Sequence, residues 1–448
     1  MLTKSTTIVA PATPPGRGGI GIIRVSGPEV RHIAKAILGD APTPRYAVYR
    51  NFRNAVGDII DAGLALFFPA PRSFTGEDTL ELHGHGGPMV MDLLLQRIIE
   101  LGAQPAKPGE FSQRAFLNGK LDLVQLEAIA DLIDSASEQA VRCAQRSLQG
   151  EFSRTIHALM DRLAVLRSYI EAAIDFPDDE IDLLSTDDTR HRLTGIIQHL
   201  ERILGAAKQG ALLHEGLGIV IAGRPNVGKS SLLNILAGRD TAIVTDIPGT
   251  TRDVLREHIH IDGCPIHLFD TAGLRQSSDQ VERHGIQRAL DTIQNADILL
   301  LVTDSVNTLP HRDKETLANF HGVAIIIRNK IDLIGKHPEA LTGSYGREVH
   351  LSAKTGAGLN LLRAELKTGF GLQQGAEGIF LARRRHLAAL QQTRQFLHSA
   401  RQQLITLQAG ELVAEDLRQA QQSLGEITGQ YTTEDLLERI FSSFCIGK

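Results

Sequence analysis

The sequence predicts a three-part chain: an α+β region at the start, an all-helical region split in two, and a doubly wound α/β region with a mostly parallel sheet inserted into it. Three observations carry this expectation. Eleven of the seventeen prolines lie at or before Pro108, and none falls between Gly109 and Phe176, which puts a boundary near residue 120. Helical spacing of apolar residues appears from about Leu121, and proline is again absent from Gly375 to the end. Between these stretches, short apolar runs alternate with helix-compatible segments, the pattern of a parallel sheet. The economical arrangement is one discontinuous helical domain carrying a second domain at exposed turns near Gly216 and Gly375. The expected boundaries are therefore 1–120, 121–215, 216–374 and 375–448.

Within the first region, Gly19 to Val25 and Ala62 to Phe68 read as short strands and Pro88 to Leu101 as a helix. Three dense clusters stand out: TPPGRGGIGIIRVSG from Thr13, SFTGEDTLELHGHGG from Ser73 and KPGEFSQRAFLNGKLDL from Lys107. Gly-rich turns joined to isolated charges suit loops that line a polar ligand site, and equally suit tight turns. His83 and His85 share one strand face with no third ligand in view, so structural roles are expected for both. The helical region is marked by Val124, Ile129, Leu132, Ile133 and Ala136, then by Leu159, Leu163, Leu166 and Ile170, until Pro177 closes the run. A second helix is expected over Arg190 to Ala206. Arg383, Arg384 and Arg385 read first as a solvated helix face, with an RNA-contacting patch as the alternative.

Composition bounds the function classes. With 448 residues and 42% apolar content the chain has room for two or three ordinary cores. Its strongest apolar stretch, Ile298 to Val302, is far below the roughly 18 residues of a spanning helix, so no membrane insertion is expected. The first residues, MLTKSTTIVAPATPPGRGG, lack the apolar core of a secretory signal, and the expectation is a cytoplasmic protein. Cys143, Cys264 and Cys445 lie too far apart for a paired metal motif. A net charge of −5 gives no global basic field, so an RNA partner needs other grounds.

The inserted region carries the sharpest signal. GRPNVGKS, Gly223 to Ser230, follows the apolar run Leu217 to Ala222 and precedes the helix-compatible SLLNILAG. Such a glycine-rich loop wraps phosphate oxygens with backbone N–H groups at a helix N-terminus. Lys229 is expected to reach the β- and γ-phosphates, and Ser230 to ligate Mg²⁺. After the next apolar run, Asp270, Thr271, Ala272 and Gly273 form a D-x-A-G switch element, in which the Asp serves Mg²⁺ through water and the Gly amide senses the γ-phosphate. Asn329, Lys330 and Asp332 form N-K-x-D, whose last carboxylate matches the N1–H and 2-amino donors of guanine. Ser352, Ala353 and Lys354 follow a further strand and can aim a backbone N–H at guanine O6. These elements in this order specify a guanine nucleotide rather than adenine.

The water-activating residue is less direct. Leu274 stands where small signalling GTPases place a glutamine, and an aliphatic side chain cannot orient water. Glu282, in VERHGIQRA, is the candidate replacement, and an ordinary helix-surface carboxylate is the alternative. Asn226 offers a neutral oxygen suited to a monovalent cation beside the phosphates.

Taken together, TPPGRGGIGIIRVSG, FTGEDTLELHGHGG, KPGEFSQRAFLNGKLDLVQLEAIADLI, GRPNVGKSSLLN, DIPGTTRD, DTAGLR, VER, NKID, SAK and the terminal FCIGK resemble the bacterial tRNA modification GTPases of the MnmE (TrmE) family, over essentially the full length. The resemblance implies an N-terminal tetrahydrofolate-binding and homodimerisation domain, a helical domain and an inserted Ras-like G domain. It implies GTP contacts from Asn226, Val227, Gly228, Lys229, Ser230 and Ser231, and from Thr245, Asp246, Ile247, Pro248, Gly249, Thr250 and Thr251. Mg²⁺ would be held by Ser230 and Thr251, and K⁺ by Asn226, Thr245, Ile247 and Thr250, with Glu282 as the catalytic glutamate. Folate contacts map onto Arg24, Glu81, Lys120 and Lys448, and Cys445 matches the family's C-terminal cysteine, with a catalytic role. The implied chemistry installs an aminomethyl or carboxymethylaminomethyl group on C5 of the wobble uridine of certain tRNAs. The one-carbon unit comes from 5,10-methylene- or 5-formyl-tetrahydrofolate. A flavoprotein partner, MnmG (GidA), brings FAD and NADH in a heterotetramer or larger complex. Era- and Der-like ribosome-assembly GTPases share the G motifs, but the first 120 residues argue against that reading, since such factors append RNA-binding modules instead. A third reading is a GTP-regulated scaffold that binds folate without catalysis.

Overall fold

The computed structural model describes residues 6–135, 137–175, 187–239, 256–261, 264–270, 296–304, 309–369, 380–406, 409–431, 437, 440–442, 444 and 447. The chain divides into two compact units, Met1–Ala130 with Gln422–Lys448, and Asp131–Gln421. The last residues thus group with the first ones, and the inserted sheet groups with helices on both sides of it in sequence.

In the first unit β1 (Ile8–Pro11), β2 (Gly18–Ser26), β3 (Val48–Arg53), β4 (Ile59–Phe68), β5 (Thr79–Gly86) and β6 (Gln104–Pro105) form a sheet of order β3-β4-β5-β2-β1-β6. Its pairings are antiparallel except β1 with β6. The alternation of a half-buried sheet sets its two faces. Ile23, Val25, Leu80, Leu82 and Phe67 turn to one side and bury against Ile33 and Ile37 of α1 (Val30–Leu38) and Leu94 and Ile98 of α2 (Pro88–Glu100). Ile22, Arg24, Glu81, His83, Leu64 and Tyr49 take the other side, as their cross-strand pairing requires. Gly63 has no alternative here, because a Cβ would collide with the His83 carbonyl on β5. Phe441 and Phe444 pack with Ala115 of α3 (Glu110–Leu117) and with Leu123 and Leu126 of α4 (Leu123–Asp134). At Gly447 a Cβ would collide with the Pro11 carbonyl, so the Gly447 backbone lies directly against the end of β1.

In the second unit α5 (Glu138–Leu148), α6 (Glu151–Asp175) and α7 (Asp187–Glu215) precede the inserted sheet. The α7 helix runs past the expected Ala206, because Ala207, Ala211 and Leu213 continue its buried stripe. The sheet contains β7 (Leu217–Ala222), β8 (Arg256–Ile261), β9 (Cys264–Asp270), β10 (Ile298–Asp304), β11 (Val323–Asn329), β12 (Glu339–Gly343) and β13 (Gly346–His350), in the order β12-β13-β11-β10-β7-β9-β8. The five central strands are parallel and both edge pairings antiparallel. Helices α8 (Lys229–Arg239), α9 (His311–Ala318) and α10 (Leu359–Gly369) belong to it. Buried on both faces, β10 and β11 read as continuous apolar runs, ILLLV and AIII. The chain re-enters the helices at α11 (Arg384–Thr406), followed by α12 (Gly410–Thr428).

One buried carboxylate ties both crossings together. Asp131, 6% exposed at its side chain, accepts hydrogen bonds at Oδ1 from His214 Nε2 (2.8 Å) just before β7 and from Arg383 Nη2 just before α11. Ser147 Oγ accepts from the Leu381 amide at 3.1 Å, and Phe152 stacks on Phe380 at 4.1 Å. Arg383 is therefore an internal partner rather than part of a solvated cationic face. Among the described residues no helix is long and apolar enough to cross a membrane.

Candidate nucleotide site and a polar row on the N-terminal sheet

The nucleotide motifs sit where parallel strands end. Gly223 leaves β7 at φ 142°, with its Cα so close to the Val302 carbonyl of β10 that a Cβ would collide with it. Asn226 takes a left-handed φ of 63°, a conformation Asn tolerates better than most residues, and Gly228 takes φ 96°. Lys229 opens α8 and is 9% exposed, with its ammonium donating to the carbonyls of Gly223 (3.1 Å) and Arg224 (2.9 Å). A buried cation held beneath a loop that begins a helix suits a phosphate chain. Ser230 and Ser231 lie exposed on the first turn of α8, and Val227 is buried in the core beneath.

Asn329, 2% exposed, joins three loops. Its Nδ2 donates to the Val227 carbonyl at 2.7 Å, and its Oδ1 accepts from the amides of Lys330 (2.8 Å) and Ala353 (2.9 Å). Gly228 must be glycine for the same reason, since a Cβ would collide with Asn329 Nδ2. Lys330, at φ 67°, sends its ammonium to the Asn226 carbonyl at 2.7 Å. Asp332 lies exposed in the 3-10 turn Ile331–Leu333, and its Oδ1 accepts the Ser352 hydroxyl at 2.7 Å. That bond fixes the carboxylate's direction. Ala353 is buried and Lys354 exposed on the loop after β13. The sequence motifs thus converge, and the bonds linking them were not legible as such: nothing in N-K-x-D says that its Asn holds the phosphate loop.

The residues present fit a guanine nucleotide with its Mg²⁺ in the donor set they supply: a buried ammonium, a hydroxyl at a helix start and an oriented carboxylate. Asp270 ends β9 and pairs with Ile221 in the ladder. Thr245, Asp246, Ile247, Pro248, Gly249, Thr250, Thr251, Thr271, Ala272, Gly273, Glu282, Cys445 and Lys448 lie outside the described residues.

A second polar constellation lies on the open face of the N-terminal sheet. Register places Arg24 opposite Glu81, and Glu81 opposite Leu66. Arg24 Nε and Nη2 both donate to Glu81 Oε1 at 2.9 Å, and Nη1 donates to the Gly447 carbonyl at 3.4 Å. Its guanidinium also lies 5.6 Å from the Phe74 ring centroid and 5.9 Å from that of Phe111, in cation–π range. His83 Nε2 lies 3.2 Å from Glu81 Oε2. Lys120 is exposed and donates to the Pro71 carbonyl at 3.0 Å, and no described contact joins it to Arg24 or Glu81.

The three dense clusters meet beside this row. Ser26 Oγ bonds Thr75 Oγ1 (2.7 Å) and Glu77 Oε2 (2.8 Å), Glu77 pairs with Arg114 at 3.0 Å, and Arg114 pairs with Glu110 at 2.9 Å. Many of their charges therefore serve one another. His85 Nδ1 pairs with Asp61 at 2.7 Å, and the His85 amide donates to the same carboxylate. Burial pushes the Asp61 carboxyl up, but the His85 amide and ring outweigh it and hold it below the usual range. Both histidines thus have structural partners, and no group of three metal-ligating side chains occurs among the described residues.

Residues 7–120 match the model of the GTP-binding protein TrmE N-terminus, and residues 123–445 that of the MnmE helical domain. The tRNA modification GTPase MnmE of Proteus mirabilis is 57% identical over 99% of this chain and 100% of its own length. That of Methylococcus capsulatus is 58% identical over 99% of this chain and 98% of its own. Among solved structures, Aquifex aeolicus Era is 27% identical over 40% of this chain and 66% of its own, with a TM-score of 0.27, too low to add to the assignment. The two family models and the full-length identity place the chain, as a whole, in the MnmE (TrmE) family.

Proposed function

We propose that this protein binds and hydrolyses GTP and that it serves the modification of tRNA, as the names of its relatives describe for them. The observation that carries the nucleotide reading is Asn329, which fastens the phosphate loop, its own loop and the Ala353 loop to one another through three hydrogen bonds. A guanine held by Asp332 is thereby set in fixed register with Lys229 and Ser230. The roles follow from donor chemistry: Lys229 neutralises phosphate charge, Ser230 and Thr251 hold Mg²⁺, and Asp332 accepts the two guanine donors. Asn226, with Thr245, Ile247 and Thr250, holds K⁺, which supplies positive charge beside the phosphates as they react. Glu282 activates water in place of the absent glutamine.

The finer chemistry is a one-carbon transfer to C5 of a wobble uridine, with a tetrahydrofolate bound at Arg24, Glu81, Lys120 and Lys448. A flavoprotein brings FAD and NADH, and Cys445 acts near the reacting base. Support comes from the Arg24 row: a guanidinium flanked by two aromatic rings and a carboxylate offers an anion partner, a stacking surface and a hydrogen-bond acceptor for a pterin with a glutamyl tail. Homodimerisation is supported by Tyr49 and Leu64, paired across β3 and β4, which are exposed apolar side chains on the open side of the N-terminal sheet beside the polar row.

Two measurements test this function. Potassium in place of sodium should accelerate GTP hydrolysis by up to the 10³- to 10⁵-fold that an arginine finger supplies, and Asn226→Ala should lose the acceleration while still binding nucleotide. Cells lacking the gene should lose the wobble-uridine modification. Equal hydrolysis rates in both salts would remove the cation role, and normal tRNA nucleosides would remove the tRNA role.

A further inference from the structure

We propose that the outer surface of α6, α7 and α11 is a docking surface for the phosphate backbone of tRNA, with Arg162, Arg202, Arg394 and Arg401 as its cationic contacts. The proposal rests on the tRNA reading above and locates the contact.

The residues form a connected strip. On α6, Arg162 lies exposed with its Nη1 3.3 Å from His199 Nδ1 of α7, and a Cβ at Gly195 would stand 3.3 Å from its Nη2. The guanidinium therefore lies across the α7 backbone. Arg202, one turn further on α7, is exposed. Glu201 beside it reaches Arg394 at 3.9 Å and His398 at 4.0 Å, which brings α11 alongside. Arg394, His398 and Arg401 follow one another at i, i+4 and i+7, so they share one face of α11 over about 10 Å.

The charge is unbalanced in a way that ordinary surface faces are not. Among the described residues, Glu201 is the one carboxylate within 4 Å of any of the four arginines, and its contact is the long one to Arg394. Asp161 precedes Arg162 on α6 without pairing with it. His199 registers the excess: burial, then the Arg162 and Arg202 cations, hold its pKa below the ordinary imidazole value. By contrast, Arg192 on α7 is matched by Asp188 and Arg167 on α6 by Glu171. A cationic strip maintained against its own repulsion, in a chain of net charge −5, is suited to a polyanion. Arg383, the more obvious sequence candidate, is held by Asp131.

The test uses the full-length chain and an unmodified tRNA transcript, with binding followed by fluorescence anisotropy across a salt series. The triple variant Arg162→Gln/Arg202→Gln/Arg401→Gln should bind more weakly at low salt. The slope of log K against log salt should become shallower by about 2 to 3, one counterion term per lost phosphate contact. The corresponding triple change to Glu should weaken binding further. GTP affinity and thermal melting should stay at wild-type values in the Gln variant, since these side chains lie on the helix surface. A wild-type slope in the Gln variant, while the intact protein binds tRNA, would overturn the surface and leave the tRNA reading standing. Failure of the intact protein to bind tRNA at any salt would overturn both.

Discussion

In the inserted sheet, Asn329, Lys330, Asp332 and Ser352 all sit at or just past the C-terminal end of a strand, whereas in the N-terminal sheet Arg24 and Glu81 face each other within two paired strands. The two arrangements depend on different things. A strand-end site is assembled from loop backbone, so its geometry rests on left-handed residues such as Asn226 and Lys330 and on side chains that bond from loop to loop. A mid-strand row rests on register, since a slip of one residue would send Arg24 into the apolar core beside α1 and α2. The first kind of site is damaged by changing one loop residue, and the second by changing the fit between strands.

The largest expected effect lies in the loops. Asn329→Ala removes three hydrogen bonds, two of them buried, from the Ala353 amide and to the Val227 carbonyl, and should cost about 3 to 4 kcal/mol in nucleotide binding, or more than a hundredfold in Kd. Calorimetric titration with GTP checks it, and an affinity within a few fold of wild type would show that the three loops do not need this fastener. Next comes a matched pair of glycine changes. Gly63→Ala sets a methyl against the His83 carbonyl and should destabilise the N-terminal sheet by about 1 to 3 kcal/mol, with GTP affinity unchanged. Gly228→Ala should do the reverse, lowering GTP affinity with little loss in melting temperature. If both variants lost the same property, the two sheets would not be the separate devices described.

Smaller effects probe the polar row. Arg24→Ala breaks a partly buried pair and two ring contacts, and about 1 kcal/mol of stability should go with it. Folate binding should fall much further, and equilibrium dialysis with 5-formyl-tetrahydrofolate separates the two. Asp61 provides a pH test. Its folded carboxyl titrates below the usual range, so its contribution to stability is present above the unfolded value of about 3.8 and is lost as pH falls through the folded one. Asp61→Asn should therefore melt lower than wild type at neutral pH, and the difference should shrink as the solution is acidified below about pH 4. A gap that stays constant down to pH 2 would show that His85 does not hold the carboxylate.

The same contrast explains what was legible in the sequence. The phosphate loop, N-K-x-D and S-A-K are contiguous, each carries its chemistry within a few residues, and the apolar runs before them announce the strands. Arg24 and Glu81 are 57 positions apart, and their meeting depends on a register that no local pattern encodes. Strand β12 also escaped the sequence reading, because it is mostly exposed and lacks an apolar alternation. That the terminal segment rejoins the N-terminal unit is implied by the resemblance, which sets Lys448 with Arg24, Glu81 and Lys120, and by no local pattern, although Phe441 and Phe444 mark it as a segment able to pack. The charges of Glu77, Arg114 and Glu110 read equally well as ligand contacts until the structure pairs them with one another.

The central claim is that the loops at the ends of the inserted strands select guanine through Asp332, whose carboxylate Ser352 holds in place. Its most direct test is the affinity of the intact protein and of Asp332→Asn for GTP and for xanthosine triphosphate, measured side by side. Losing one charge-assisted partner should weaken GTP by about 1.5 to 3 kcal/mol, at least tenfold, while xanthosine triphosphate, which presents an acceptor where guanine presents a donor, should bind the variant better than it binds the intact protein. An Asp332→Asn protein that binds GTP as tightly as the intact chain, and xanthosine triphosphate no better, would contradict the account.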